Sequence, residues 1–252
     1  HREAVKILNQ LTSRIDKKWI PRDAEGMVYP NHTLDEIDFS KGQWMILART
    51  NKLLQNISEH FYFLGVRFTG KTNKYLPNSI LEAYQVWTRL NQGAFVSPEE
   101  AERLYNFLLV KKGHVRRGYS DGKTIQRETS VDLDKLKSEH GLLIDGDWKQ
   151  LHFPEDTKEY MQTLLERGDT LMEKSKIQLI TLHGSKGKEC ENVCLFTDYG
   201  TEGQDEFIYR SAYENPDAEH RLFYVGTTRA KENLYVMQPT SDYYYTIGGP
   251  IV

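Results

Sequence analysis

Short apolar runs of strand type alternate with stretches of helical periodicity at both ends of this 252-residue chain. Trp44–Ala48 and Ile177–Thr181 are two such runs, and residues 193–197 form a third. Between the first two, residues 52–64 carry apolar side chains at helical spacing, and Gly65 follows as a helix-ending glycine. Strands that alternate with helices favour a parallel sheet covered by helices, so we expect an α/β fold.

The middle of the chain has a mainly helical pattern. Residues 97–100 read Ser-Pro-Glu-Glu, which is a capping box with proline at the first helical position, and they predict the start of a helix. We therefore expect a discontinuous α/β domain, residues 1–88 and 172–252, that is interrupted by a short, mainly helical insertion at 89–171.

Composition excludes several classes of protein. Lys and Arg number 33 against 36 Asp and Glu, so a net charge of −3 argues against a histone-like nucleic-acid coat. No apolar run approaches the roughly 18 residues that a membrane-spanning helix needs, so no membrane partner is expected. Cys190 and Cys194 make no disulfide framework and have no zinc-type spacing with other ligands, so we predict a reducing, cytoplasmic compartment and no metal site.

Residues 65–72 satisfy the phosphate-loop pattern G-x4-G-K-[ST] through Gly65, Gly70, Lys71 and Thr72. A phosphate loop needs a buried strand before it and a helix that begins at its Thr. The segment before it has a helical pattern, and the proline at position 77 opposes a helix that starts at Thr72. The pattern favours a strand followed by a turn, with a self-sufficient phosphate-loop ATPase as the alternative.

Two segments in the last third concentrate polar chemistry. Residues 177–189 read Ile-Gln-Leu-Ile-Thr-Leu-His-Gly-Ser-Lys-Gly-Lys-Glu, a strand and turn that can present backbone N–H groups, a cation and a carboxylate together. Residues 219–231 predict a helix on which Arg221, Val225 and Arg229 share one face. An arginine at the end of such a helix can reach an anion across an interface.

These segments resemble the motifs of one family. Residues 180–189 look like motif V of the UvrD/Rep-type superfamily-one DNA helicases, and residues 221–230 look like their motif VI. Residues 44–51 are similar to the family strand that ends in Arg-Thr-Asn. The three occur in family order, which implies a RecA-like motor domain 2 from the C-terminal part of an ATP-dependent DNA helicase.

The resemblance also implies roles for individual residues. Arg229 would act as the catalytic arginine that reaches the γ-phosphate of ATP, Glu189 would hydrogen-bond the ribose, and Gly187 would allow close approach of the backbone. The single-stranded DNA backbone would be contacted by a set of residues from strand ends and from the motif V turn: Arg49, Asn51, Thr181, His183 and Lys186, the last of which could serve either ligand.

The remaining parts would come from outside this chain. The family's first motor domain carries the true phosphate loop and would hold Mg²⁺, so the implied partners are that N-terminal motor domain, single-stranded DNA and duplex junctions. The chain alone is expected to be inactive, and the whole protein to act in the cytoplasm of a bacterium or a phage-infected cell. Lys188, Cys190 and His220 depart from the family pattern, where Leu, Phe and a second arginine are usual.

Two further interpretations remain open. One is a non-enzymatic DNA-binding or interaction module that keeps the motor fold. The other concerns the basic, tyrosine-containing cluster at residues 111–119, which is either a solvated turn after a helix or a patch that contacts duplex or single-stranded DNA.

Overall fold

A computed structural model describes residues 2–11 and 25–249, and the chain forms two compact units. The first unit combines His1–Asn73 with Ser175–Val252, and the second is Lys74–Lys174. The insertion expected at 89–171 lies inside the second unit. Its assignment as an accessory domain remains a prediction. No helix among the described residues is long and apolar enough to cross a membrane.

The first unit is built on a parallel sheet, as the sequence predicted. In the described part of the chain it has five strands, in the spatial order β1-β5-β4-β2-β3. The strands are β1 (Met27–His32), β2 (Trp44–Ala48), β3 (Ile177–Thr181), β4 (Cys190–Leu195) and β5 (Ala230–Met237). Strand β2 lies between β4 and the edge strand β3 and pairs with both, so that Leu47 lies opposite Ile180 on one side and Leu195 on the other.

Eight α-helices occur in the described residues. Four belong to the first unit: α1 (Arg2–Leu8), α2 (Asn51–Phe63), α7 (Asp205–Glu214) and α8 (Pro216–Thr227). Four belong to the second unit: α3 (Asn78–Asn91), α4 (Pro98–Tyr105), α5 (Leu133–Ser138) and α6 (Glu155–Glu166).

Alternate residues of β2 point to opposite faces of the sheet, and both faces are covered by packed side chains. Met45 and Leu47 belong to a buried cluster that includes Phe223 of α8 and Ile7 of α1. On the opposite face, Trp44 packs edge-on against Phe39, which in turn packs against Phe61 of α2. A strand buried on both faces has a continuous apolar sequence, which is why β2 could be predicted from its five apolar residues.

The second unit has its own core, formed mainly by helices. Trp87 of α3 and Tyr105 of α4 are almost fully buried, and each satisfies its polar atom with a backbone carbonyl: the indole N–H donates to Gly146 at 2.9 Å and the phenol to His140 at 2.9 Å. The capping box predicted at residues 97–100 is present, with the Ser97 hydroxyl accepting from the Glu100 amide.

Three local expectations were wrong or incomplete. The last helix ends at Thr227 rather than near residue 231, so Arg229 does not share a helical face with Arg221. The strand expected within residues 65–72 does not form, and Thr69 makes only an isolated bridge to Gln178 of β3. Strand β1 was not predicted, because Pro30 lies inside it; it pairs with β5 alone in the described sheet, and a sheet tolerates proline at such an edge.

Candidate nucleotide and DNA site

The residues selected from the sequence lie at two opposite edges of the sheet. Arg49 and Asn51 follow β2, and Thr181 is the last residue of β3, so these three lie at the carboxyl edge. Glu189 precedes β4 and Arg229 precedes β5, which places both at the amino edge. Strands of this length separate the two edges by about 20 Å. The expected DNA set and the expected nucleotide set are therefore on different sides of the domain.

The motif V turn is the crossover that runs from one edge to the other, through residues 182–189. It starts at the carboxyl edge, where the Leu182 amide donates to the Ala48 carbonyl at 2.9 Å. The Ser185 side chain is fully buried and donates to the Leu182 carbonyl at 2.7 Å. Gly187 then adopts a φ of 80°, a left-handed conformation that favours glycine. Internal bonds thus shape this turn, while Lys186 beside Gly187 stays exposed.

Arg229 lies in the short link between α8 and β5, where its side chain folds back over the last helical turn. Its guanidinium donates to the Val225 carbonyl and the Lys188 carbonyl, each at 2.8 Å, and to the Thr228 hydroxyl at 2.9 Å. All three acceptors are neutral. Within the described residues no carboxylate pairs with this guanidinium, so its position is fixed while its charge is not compensated.

Glu189 lies next to Arg229 at the amino edge. The amide of the following residue, Cys190, donates to the Arg229 carbonyl at 3.0 Å and so joins the two segments. The Glu189 carboxylate is exposed and lies 3.8 Å from the Lys231 ammonium, a distance typical of a weak, solvated ion pair. An anchored guanidinium and an accessible carboxylate are thus side by side.

At the carboxyl edge Arg49 is held by an acidic partner that the sequence analysis missed. Glu219 of α8 accepts from Arg49 Nε at 3.1 Å and from Nη2 at 2.8 Å, and the Glu219 side chain is 8% exposed. The neighbouring Asn51 is exposed at the first turn of α2, where the Thr50 hydroxyl accepts from the Leu53 amide. This partner is 170 positions away, and no local spacing could have revealed it.

Thr181 and His183 complete the carboxyl edge. The Thr181 hydroxyl accepts from the Gly184 amide at 3.2 Å, and the His183 side chain is exposed. Together with Asn51, these residues offer small polar groups at one rim of the sheet. Such groups can hydrogen-bond phosphates without reading base edges.

His220, at the position of the usual second arginine, is not part of either edge. Its ring is buried, with Nδ1 2.8 Å from the hydroxyl of Tyr245, whose ring stacks on Phe223. Burial lowers the pKa of His220, with Asp217 and Glu219 acting in the opposite direction. The departure from the family pattern therefore changes the packing under α8 rather than the surface at Arg229.

A further feature of the carboxyl side is an open cleft of about 740 Å³ that the sequence analysis did not predict. It lies among α2, α7 and the segment after β5, and Asn56, Phe207 and Tyr243 are among its lining residues. Asp198 organises this segment: it is fully buried, and its Oδ1 accepts from the amides of residues 240 and 241. Asp198 thus has a structural role, because it holds the segment after β5 in place.

The phosphate-loop pattern at 65–72 lacks the required surroundings. Helix α2 precedes it directly, and the next helix, α3, begins only after Pro77. A side chain at Gly70 would lie 2.6 Å from the Leu179 carbonyl, so this glycine serves close packing on β3. The segment presents no strand-loop-helix in which backbone amides could surround a phosphate.

Taken together, the fold and the site define a RecA-like α/β domain with motif V and motif VI residues at its sheet edges. Residues 155–240 match the family described as the UvrD-like helicase C-terminal domain. Over these residues, which are about a third of the chain, the protein is similar to C-terminal domains of UvrD-like helicases.

Several curated proteins are similar to this chain. The ATP-dependent DNA helicase Rep of Escherichia coli (strain K12) is 38% identical over 82 residues, which is 31% of this chain and 11% of that protein. A probable DNA helicase II homolog of Mycoplasma pneumoniae is 28% identical over 208 residues, 80% of this chain and 24% of that protein. A probable DNA helicase II homolog of Mycoplasma genitalium is 30% identical over 165 residues, 60% of this chain and 21% of that protein. The chain thus matches between a tenth and a quarter of each relative's length.

Proposed function

We propose that this chain supplies the second motor domain of an ATP-dependent DNA helicase. The observation that carries the proposal is the state of Arg229: a guanidinium anchored by three neutral oxygens, with no carboxylate partner in the described residues, beside an exposed Glu189. A charge held in this way is suited to an anion that arrives from another domain.

In the proposed complex ATP lies between the amino edge of this sheet and the first motor domain. Arg229 neutralises charge on the γ-phosphate, Glu189 accepts from a ribose hydroxyl, and the open space beside Gly187 admits the nucleotide close to the backbone. ATP supplies the phosphoryl group whose hydrolysis drives the motor. The magnesium ion belongs to the first motor domain in this proposal, and no step in this chain depends on it.

Single-stranded DNA would lie along the carboxyl edge, against Asn51, Thr181 and His183. In the structure Arg49 pairs with Glu219, so its guanidinium contacts DNA only if that pair opens or is shared with a phosphate. Lys186 is exposed in the crossover between the two edges, and within the described residues it has no carboxylate partner. We therefore assign Lys186 either to the nucleotide or to single-stranded DNA.

The experiment that tests this function uses the complete protein. Arg229→Ala should lower DNA-stimulated ATP hydrolysis by about a thousandfold while nucleotide affinity changes little, because an arginine on the γ-phosphate acts mainly in the transition state. Arg103→Ala is the matched control, since Arg103 is an exposed arginine of α4 that pairs with Glu82. Near-normal turnover in Arg229→Ala would contradict the assignment.

The phosphate-loop alternative has its own test. The isolated 252-residue chain should show no steady ATP hydrolysis, because residues 65–72 do not form a phosphate loop. Turnover by this chain that is lost in Lys71→Ala would replace the proposed function with a self-sufficient ATPase. DNA binding without any ATP hydrolysis by the complete protein would favour a non-enzymatic module.

A further inference from the structure

A second cluster of chemically active side chains lies in the second unit. Glu128, Glu139 and His140 place one ligand atom each within 4.8 Å of one another. Glu128 follows a 3-10 turn, Ile125–Arg127, whereas the other two residues follow α5 directly. The cluster thus joins two segments of the unit that are separate in sequence.

The imidazole of His140 is buried and points an atom at this cluster. Its side chain is only 4% exposed, and Nε2 has no hydrogen-bond partner among the described residues. The nearest acidic atom is Glu128 Oε1 at 3.6 Å, which is beyond hydrogen-bond range. A buried polar atom without a partner carries a free-energy penalty, and a ligand shared by this nitrogen and the carboxylate would relieve it.

The other ring nitrogen explains how the imidazole is oriented. Nδ1 of His140 lies 3.0 Å from the Thr124 hydroxyl, and the His140 carbonyl accepts from the buried phenol of Tyr105. When Nδ1 donates to Thr124, Nε2 presents its lone pair to the cluster. A hydrogen bond from the second nitrogen is the usual means by which proteins fix a metal-binding histidine.

The charges around the cluster suit a cation. Lys135 donates to Glu128 Oε2, which leaves Oε1 turned toward His140. Asp132 caps α5 through the Lys135 amide at 2.9 Å, and Glu139 is exposed at the end of the same helix. Three carboxylates therefore surround one lysine, and the local charge remains negative without a further cation.

We propose that Glu128, Glu139 and His140 form a binding site for a divalent transition-metal ion, with Zn²⁺ as the best fit. One imidazole nitrogen and two carboxylate oxygens match the ligands that zinc uses, and water would complete a tetrahedral shell. Bonds of about 2.1 Å bring such ligands to about 3.4 Å from one another. The exposed side chain of Glu139 can make this closing movement, and the hydrogen bond from Lys135 supports the Glu128 carboxylate from outside the shell.

The test is a zinc titration of the chelator-treated 252-residue chain, in competition with a coloured chelator. We expect one Zn²⁺ per chain, and Glu139→Gln should weaken binding by at least about tenfold, since even the loss of an outer hydrogen bond costs a site this much. Glu159→Gln, which changes an exposed glutamate of α6, is the matched control and should bind as the parent does.

A spectroscopic measurement tests the histidine. Co²⁺ should give the intense visible bands of a low-coordinate complex with the parent chain, and His140→Gln should lose them. Because His140 is buried, circular dichroism must show that this variant is folded; Glu139 is exposed, so its variant tests the site without that concern. Failure to bind Zn²⁺, or equal affinity in the parent and Glu139→Gln, would overturn the proposal.

Discussion

Arg49, directly after β2, and Glu219, in α8, form a two-pronged ion pair that is largely shielded from solvent. The pair joins the carboxyl edge of the sheet to the helix whose end leads to Arg229 at the amino edge. A residue that the family resemblance assigns to DNA is thus connected through one helix to the residue assigned to ATP.

We expect this pair to contribute substantially to stability. Arg49→Ala and Glu219→Ala should each lower the free energy of unfolding by about 3 kcal/mol, because removal of one partner leaves the other as an unpaired, poorly solvated charge. The double variant should lose much less than the sum of the two. Urea denaturation of all four chains measures this coupling. The exposed Arg103–Glu82 pair is the control and should give less than about 1 kcal/mol, and equal coupling in both pairs would be evidence against this view.

DNA binding should depend on the exposed polar groups of the carboxyl edge. Asn51→Ala and His183→Ala should each weaken the binding of unrelated single strands by roughly three- to tenfold, the value of one hydrogen bond, and by the same factor for every sequence. Fluorescence anisotropy at fixed salt measures this effect, with the exposed His152→Ala as control. Loss of binding in Arg116→Ala instead would move the DNA site to the basic cluster at 111–119.

Gly226 provides a test of the packing between α8 and the motif V crossover. A Cβ at this position would lie 2.5 Å from Leu182 Cδ2 and 3.1 Å from Leu195 Cδ1, and both leucines are fully buried. Gly226→Ala should therefore destabilise the protein by about 1–2 kcal/mol, although alanine favours a helix by about 1 kcal/mol.

Gly226→Ala should no longer destabilise the protein once the Leu182 side chain is shortened. In a Leu182→Ala background, which itself costs about 3 kcal/mol, Gly226→Ala should be neutral or stabilising. Thermal denaturation of the four chains compares the two backgrounds. A stabilising Gly226→Ala in the parent would show that the helix does not approach the crossover this closely.

His220 should make stability depend on pH. Burial lowers its pKa in the folded protein below the ordinary value near 6.5, so the unfolded chain binds the proton more tightly. This contribution to stability is complete above about pH 6.5 and declines as the pH falls from there toward the folded-state pKa. The urea midpoint should fall more between pH 7.5 and pH 5.5 in the parent chain than in His220→Gln. An equal fall in both chains would mean that His220 is solvated. Burial also lowers the pKa of His114, which both chains contain, so its effect on the urea midpoint is the same in each.

The sequence predicted most of the elements that form the core. Strands β2 and β3 were evident from apolar runs, and α2 from its periodicity, because burial on a sheet or on one helical face imposes those patterns locally. The end of α8 was not evident. Its last residues, Gly226 and Thr227, carry no strong stop signal, and just after the C-cap Thr228 the guanidinium of Arg229 donates to the Lys188 carbonyl of the motif V turn.

Contacts between distant residues could not be predicted from spacing. The partner of Arg49 lies in a helix 170 positions later, and nothing around either residue indicates the pair. The proposed zinc ligands show the same limitation, since Glu128 and His140 come together through the ends of two short elements rather than through a recognised motif. Strand β1 escaped prediction for another reason, because Pro30 lies inside it and a proline in a sequence argues against a strand.

The crossover at residues 182–189 has little spare length. It must return across the sheet, about 20 Å along the strands, and part of its chain is wound into a 3-10 turn, His183–Ser185. The three residues of that turn rise about 2.0 Å each and the other five at most about 3.3 Å each, so the segment only just covers the distance. A backbone segment without slack couples its two ends. A displacement of Glu189 at the amino edge is therefore transmitted to Thr181 at the carboxyl edge through a single stretch of backbone.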